Sequence, residues 1–82
     1  MSYFVYILEC SDGSLYTGIA KDVDKRLDEH NTSDKGAKYT KARRPVKLVY
    51  KESAEDRSSA SKREYAIKKL SRLKKLQLID KT

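Results

Sequence analysis

The residues of this chain whose side chains could do chemistry are few and far apart along its 82 residues. They are two tyrosines, an arginine and a histidine four residues apart, and a late glutamate: Tyr6, Tyr16, Arg26, His30 and Glu64. The phenols offer polar oxygens, the arginine a permanent positive charge and the glutamate an oxygen ligand for a cation. A single histidine rules out a metal site built from several histidines, and a Ser-His-Asp or Cys-His hydrolase would have to arise by coincidence.

Glu64 is a charged residue at a position that the sequence predicts to face the core. A helix is predicted over about residues 57–70, with Asp56 or Ser58 as its cap. Three residues mark its inward stripe: Ala60, Ile67 and Leu70. Glu64 falls within that stripe, where a carboxylate costs several kcal/mol unless it is paired or bound to a cation. Two interpretations stay open: an ion pair with Arg63 or Arg26 or a side chain turned to solvent, and a functional cation site.

The two tyrosines stand on the arms of a predicted β-hairpin. Aromatic and β-branched residues fill both arms, over residues 3–10 and 14–20, and Asp12 and Gly13 between them favour a turn. The first arm is apolar at almost every position, which predicts a central strand that is covered on both faces.

The length of the hairpin loop decides whether the tyrosines can share a site. A two-residue turn would put Tyr6 and Tyr16 on opposite faces of the sheet. A three-residue loop, with Gly13 in the left-handed conformation, would pair Leu8 with Tyr16 and Tyr6 with Gly18. Both tyrosines would then lie on one face.

A helix over residues 23–31, capped by Asp22, would carry Arg26 and His30 one turn apart beside its apolar residues. Both side chains could then reach the edge of the sheet beside the hairpin. The alternatives are that Arg26 is an ordinary surface charge and that His30 is a cation at the C-terminus of the helix.

A cation-rich segment over residues 32–44 ends before the only proline and is predicted to be a loop, with room for one helical turn near residues 39–42. Its five cations surround one aromatic residue, Tyr39: Lys35, Lys38, Lys41, Arg43 and Arg44. This composition is typical of an arm that contacts phosphates, although a solvated linker would look similar.

Two further elements complete the predicted fold. Residues 46–52 alternate as a half-exposed edge strand with three apolar residues on one side: Val46, Leu48 and Tyr50. A last helix runs from Ser71 to about Ile79, with an apolar side made of Leu73, Leu76 and Ile79.

The bulk composition limits the class of protein. Eighty-two residues with 38% hydrophobic content suffice for one small domain. A net charge of +7 makes a polyanion such as nucleic acid the natural partner, whereas a well-solvated basic surface is the plainer alternative. Cys10 is expected to be a small buried residue that fills space in the core. The sequence has no membrane-length apolar run and no leader, so the protein is predicted to be cytoplasmic, with no membrane partner.

Taken together, these residues resemble the GIY-YIG endonuclease superfamily, in its small stand-alone bacterial branch. Residues 4–6 (Phe-Val-Tyr) stand where the first triplet belongs and residues 16–18 (Tyr-Thr-Gly) where the second does. Residues 21–31 resemble the helix that brings the arginine. Residues 36–45 are similar to a segment of the small bacterial members and of flap and junction endonucleases. Glu64 fits the family's metal-binding glutamate.

The resemblance implies an α+β fold: a three-stranded antiparallel sheet with the first strand central and helices on both faces. It implies hydrolysis of a phosphodiester in DNA with one divalent ion, Mg²⁺ or Mn²⁺, held by Glu64. Positive charge from Arg26 and the ion would stabilise the transition state.

The resemblance also implies roles for the remaining site residues. Tyr16 would activate the attacking water, and Tyr6 would orient water or phosphate. Gly18 would let the substrate backbone approach, and His30 could hold Tyr16 or the scissile phosphate. These roles are expectations that rest on the resemblance.

The expected partner is DNA, with RNA not excluded, in repair or in the processing of branched or single-stranded forms. A protein partner or an attached module would supply specificity, because 82 residues leave no room for a second recognition domain. The alternative is a non-catalytic nucleic-acid-binding module of the same fold. An adaptor for an acidic protein would explain neither Glu64 nor the paired tyrosines.

Overall fold

The computed structural model describes residues 2–33 and 37–80. Its elements, in chain order, are β1 (Tyr3–Glu9), β2 (Leu15–Ala20), α1 (Val23–Thr32), α2 (Lys38–Lys41), β3 (Lys47–Ala54), α3 (Arg57–Lys68) and α4 (Arg72–Asp80). The strands form one antiparallel sheet in the order β2-β1-β3. The predicted α+β fold with a central first strand is confirmed.

The hairpin loop between β1 and β2 has the three-residue form. The Cys10 backbone N–H donates to the Ser14 carbonyl at 2.8 Å, and Gly13 takes a φ of +84°, which glycine adopts without strain. Leu8 pairs with Tyr16 as this loop requires. The predicted register is confirmed.

β1 supplies side chains to two hydrophobic layers, one on each face of the sheet. On one face Val5 and Ile7 pack with residues of β3 and α3: Tyr50, Ala60 and Ile67. On the other face Tyr6 and Leu8 pack with residues outside the sheet: Cys10, Val23 and Val46. The four β1 residues are at most 1% exposed, so the central strand is covered on both sides.

β3 contains a bulge that reverses its alternation. Ile7 pairs with Tyr50 and Leu8 with Leu48, so Val49 is the extra residue between them. Leu48 therefore packs on the face of β1 that carries Leu8, and Tyr50 on the face that carries Ile7. The prediction that Leu48 and Tyr50 share a side is wrong because strict alternation ends at the bulge.

The N-termini of α1 and α3 lie where the sequence predicts them, whereas the buried side of α4 differs from the prediction. Asp22 and Asp56 cap α1 and α3 by accepting backbone N–H groups at 3.0 and 2.8 Å. In α4, however, Leu73 is 66% exposed, while Leu78 and Ile79 pack on the α3 side of the sheet. The prediction of Leu73 as an inward residue is wrong. No helix in residues 2–33 and 37–80 has the length and apolarity needed to cross a membrane.

Candidate active site

Tyr6 is the centre of the candidate site. Its hydroxyl lies 3.0 Å from His30 Nε2, and the positive charge of Arg26 is close enough to act on it. Burial, with smaller contributions from Tyr16 and Glu64, raises the pKa of Tyr6 to about 12, although Arg26 opposes the shift. The four other residues that the sequence singled out therefore all act on one phenol.

Gly18 faces Tyr6 across the β1–β2 ladder. A Cβ at this position would lie 2.6 Å from the Tyr6 oxygen and 3.2 Å from Tyr16 Cε2. The space beside this buried glycine is thus filled by tyrosine side chains. The expectation that it admits the substrate backbone is corrected: the absent side chain lets Tyr6 and Tyr16 lie side by side.

His30 is fully buried, beneath Tyr6 and Tyr16. Burial, followed by the positive charges of Arg26 and Arg44, lowers the pKa of His30 to about 4, with Glu29 opposing. The imidazole is therefore neutral at physiological pH. The alternative of a cation at the helix C-terminus is wrong because the ring points into the protein.

The hydrogen bonds around His30 fix its tautomer. The Thr40 hydroxyl uses its proton on the Ala37 carbonyl, so its oxygen accepts from Nδ1, and Nε2 is left to accept from the Tyr6 hydroxyl. Nδ1–H then donates to Thr40 Oγ1 at 2.8 Å, and the Thr40 hydroxyl donates to the Ala37 carbonyl at 2.8 Å. The opposite tautomer would use the Ala37 N–H, whose nitrogen lies 3.4 Å from Nδ1. We assign the proton to Nδ1 because the shorter bonds require it.

Thr40 is a site residue that the sequence analysis missed. It is fully buried on α2 and connects the cation-rich segment to the histidine of α1. Its only sequence signal was its place in the predicted helical turn between two lysines, which does not distinguish it from a surface threonine.

Tyr16 lies between the buried histidine and the cation-rich segment. Its ring is edge-on to His30, with centroids 5.2 Å apart, and stacks on Tyr39 at 6.1 Å. The Arg43 guanidinium lies 3.9 Å from the centre of the Tyr39 ring and bonds Asp12 in the hairpin loop at 3.1 Å. Tyr16 is half-buried, so it is the more accessible of the two hairpin tyrosines.

Glu64 lies beside the buried stripe of α3, with 23% of its side chain exposed. Its ion partner is Lys68, one turn along the helix, at 3.5 Å. The two predicted partners are engaged elsewhere: Arg63 with Glu52 at 3.0 Å and Arg26 with Glu29 at 3.1 Å. Glu64 is therefore a partly exposed carboxylate with an ion partner on its own helix, and not a core carboxylate.

The donor set around Glu64 suits a magnesium-type ion. Within the described residues no cluster of three His, Cys, Asp or Glu side chains could enclose a metal. Mg²⁺ commonly binds through one or two carboxylates and fills its other positions with water and substrate phosphates. A single, partly exposed glutamate fits that chemistry, whereas it would not fit a zinc site.

Arg44 caps the C-terminus of α1. Its Nε donates to the His30 carbonyl and its Nη2 to the Ser33 carbonyl, each at 2.6 Å. The guanidinium thereby satisfies carbonyls that the helix leaves without partners. This geometry gives Arg44 a structural task that its place among five cations did not indicate.

The other predicted cations are distributed along the same segment. Lys38 and Lys41 are exposed on α2, the predicted single helical turn, and Arg43 stacks on Tyr39. Lys35 lies outside the described residues. The structure thus brings Tyr6, Tyr16, Arg26, His30 and Glu64 into one neighbourhood, with Tyr39 and Arg43 next to Tyr16.

Comparisons with known proteins identify the family of this chain. The model of the GIY-YIG catalytic domain matches residues 2–77, so the chain belongs to the GIY-YIG family. Within that class it is similar to UPF0213 proteins. One from Staphylococcus aureus is 64% identical over 78 residues, which cover 95% of this chain and 94% of that protein. One from Desulfotalea psychrophila is 59% identical over 78 residues, 95% of this chain and 71% of that protein.

Solved structures support the fold. The solution NMR structure of a UPF0213 protein from Bacillus halodurans has a TM-score of 0.62 at 50% identity, over 98% of this chain and 84% of that one. That of a protein from E. faecalis has a TM-score of 0.66 at 44% identity, over 99% and 85%. Membership of the family supports a nuclease-type function and a nucleic-acid substrate, and GIY-YIG nucleases generally depend on a divalent metal.

Proposed function

We propose that residues 1–82 act as one metal-dependent endonuclease domain that hydrolyses phosphodiester bonds in DNA, in repair or in the processing of branched or single-stranded forms. The observation that carries this proposal is the Tyr6 hydroxyl, which lies 3.0 Å from His30 Nε2, with the Tyr16 ring against the same histidine and the charges of Arg26 and Glu64 near enough to act on it. A non-catalytic module would have no need to bring a cation, two phenols and a carboxylate together.

The charges of the site suit a phosphodiester. Arg26 presents a fixed positive charge beside Tyr6, where it would stabilise negative charge that develops on the phosphate. Glu64 would hold Mg²⁺ or Mn²⁺, and the ion would supply Lewis-acid stabilisation of the same charge. Lys68 would leave Glu64 to make room, because an ion pair one turn apart on a surface contributes only about 0.3–0.5 kcal/mol.

Tyr16 is the best candidate for the group that takes the proton of the attacking water. Tyr6 keeps its own proton because its pKa is about 12. Nε2 of His30 already accepts that proton, and the ring is fully buried. Tyr16 is the remaining phenol of the site and is partly open to solvent. His30 would then be a positioning residue for the tyrosines, and its burial does not favour a contact with the scissile phosphate.

The test is cleavage of labelled duplex, flap, junction and single-stranded DNA, and of an RNA strand, with Mg²⁺ or Mn²⁺. Glu64→Ala and Tyr16→Phe are compared with Glu55→Ala and Tyr3→Phe, which make the same chemical changes outside the site. We expect the two site variants and a chelator to slow cleavage at least 100-fold, in the range typical of a lost general base, and the controls to cut like the wild type.

The same experiment can overturn the proposal. Salt-sensitive binding without cutting on any substrate would favour the non-catalytic binding module and leave Glu64 as a helix-surface ion pair. Cleavage confined to RNA would correct the substrate class. Cleavage that appears only after a protein from the same cell is added would support a partner that supplies specificity.

A further inference from the structure

The net positive charge of the chain comes entirely from its C-terminal part. Residues 1–56 contain ten Lys and Arg and ten Asp and Glu, so this part has no net charge. Residues 57–82 contain nine Lys and Arg against two Asp and Glu, which accounts for the whole net charge of +7. The cation-rich segment before the proline is therefore balanced by acidic residues elsewhere in its half, whereas α3 and α4 are not.

Most of the cations on α3 and α4 are exposed and are not neutralised. Arg63 and Lys68 form ion pairs with Glu52 and Glu64. Five others are exposed, and within the described residues none has a carboxylate within 4.0 Å: Arg57, Lys62, Lys69, Arg72 and Lys74. Such a concentration of unpaired charge on two short helices destabilises the folded chain through repulsion unless a polyanion binds there.

An exposed aromatic ring lies beside one of these cations. Tyr65 is 62% exposed, and Lys69 Nζ lies 4.5 Å from the centre of its ring. An aromatic residue of this exposure has no packing role to explain it. Aromatic rings interleaved with cations are the combination that contacts sugars, bases and phosphates together.

The position of this patch ties it to the candidate site. Tyr65 directly follows Glu64 on α3, and Lys69 caps the C-terminus of that helix directly after Lys68, so the patch adjoins the proposed cation ligand along the chain. At the other end, an Arg72 side-chain nitrogen comes within 4.0 Å of the place where a Cβ on Gly13 of the hairpin loop would stand. A strand whose phosphate lies at the site could therefore continue over α3 and α4.

We propose that Tyr65, Lys69, Arg72 and Lys74, here called the α3–α4 surface, bind the phosphate backbone of the nucleic acid beside the scissile bond. The proposal rests on nucleic acid being the substrate of the site. It assigns the surface that holds the part of the nucleic acid next to the cleaved bond. Binding is electrostatic and independent of sequence, because ammonium and guanidinium groups recognise phosphates rather than bases.

The experiment measures binding in the presence of a chelator, so that cleavage plays no part. The variant Lys69→Gln/Arg72→Gln/Lys74→Gln is compared with Lys25→Gln/Lys47→Gln/Lys51→Gln, which removes three exposed cations from the neutral half. Anisotropy of labelled duplex and single-stranded DNA is followed from 50 to 300 mM salt, and thermal melts check that both variants fold.

We expect the α3–α4 variant to bind at least tenfold more weakly at 100 mM salt. For duplex DNA, the slope of log K against log salt concentration should become shallower by about 2 to 3, since each lost phosphate contact removes about 0.9. The control should change the slope by less than about 1. Comparing the two DNA forms then tells whether the surface holds a duplex arm or a single strand.

Equal weakening of both variants would overturn the proposal, because net charge alone would then explain the binding. An unchanged slope in the α3–α4 variant would also overturn the proposal, because the surface would then make no phosphate contacts. If instead the proposed nuclease function is wrong, the result differs. Binding still depends on the α3–α4 surface, but the wild-type protein does not cleave DNA once Mg²⁺ is restored.

Discussion

At the scale of single residues, the site depends on keeping one histidine neutral. His30 has no solvent exposure, and its two ring nitrogens are satisfied by Tyr6 and Thr40. A charged imidazole would have to donate to Tyr6 as well as to Thr40, and would meet the nearby charge of Arg26. The chain of hydrogen bonds that orients Tyr6 therefore exists only while His30 is uncharged.

This requirement predicts an acid-sensitive stability. The pKa of His30 is about 4 in the folded protein and about 6.5 in an unfolded chain, so between these values the unfolded state binds the extra proton. The stabilisation is complete above pH 6.5 and is lost as the pH falls toward 4. We expect the free energy of unfolding to drop by about 2 kcal/mol between pH 7 and pH 5, measured by urea unfolding.

Because His30 is the only histidine, the source of this drop can be checked directly. His30→Gln should be less stable at pH 7 but should lose little more on going to pH 5. If that variant does not fold, an NMR titration of the wild-type ring replaces it. A ring that titrates near pH 6.5 in the folded protein would contradict the prediction.

At the scale of elements, α1 is held at both ends by side chains. Asp22 accepts from the first turn, and Arg44, from beyond α2, donates to the carbonyls of the last turn. The second contact fixes the segment of residues 37–44 to the helix that carries Arg26 and His30. The helix and the cation-rich segment thus behave as one structural unit around the site.

We therefore expect Arg44 and Lys38 to respond differently to the same substitution. Arg44→Ala removes charge-assisted hydrogen bonds from partly buried carbonyls and should lower the free energy of unfolding by about 1–3 kcal/mol. Lys38→Ala, an exposed position in the same segment, should change it by less than about 0.5 kcal/mol. Urea unfolding of both variants checks this, and equal stability of the two would show that the cap contributes nothing.

At the scale of the whole molecule, β1 joins two layers that would otherwise be separate. Val5 and Ile7 belong to the layer under α3, while Tyr6 and Leu8 belong to the opposite layer, which includes Val23 of α1. Neither layer keeps its packing without the strand. The site, which draws Tyr6 from β1 and Glu64 from α3, consequently needs both layers.

This arrangement predicts that the two layers unfold together. Ile7→Val removes one methylene from the α3 layer and should cost about 1 kcal/mol, whereas Ile19→Val at a half-buried position should cost less. Far-UV circular dichroism and an NMR signal from the His30 ring in the opposite layer should shift to the same midpoint. Separate midpoints would show that the layers fold independently.

Local sequence patterns determined where the helices and strands lie and that the two hairpin tyrosines share one face of the sheet. Asp22 and Asp56 cap helices because they accept hydrogen bonds from N–H groups only three residues away. Gly13 allows the three-residue loop because it takes a positive φ. Interactions of this range act before the chain is compact. The sharing of one face by Tyr6 and Tyr16 follows from the loop once its length is known.

The tertiary structure decided what depends on residues far apart in the chain. The β3 bulge arises from pairing with β1, and Gly18 gives room to Tyr6 only because the two strands are in register. The neutral state of His30 and its bond to Thr40 depend on burial between separate elements. A sequence states which side chains are available, whereas burial and long-range contacts fix their charge and their partners.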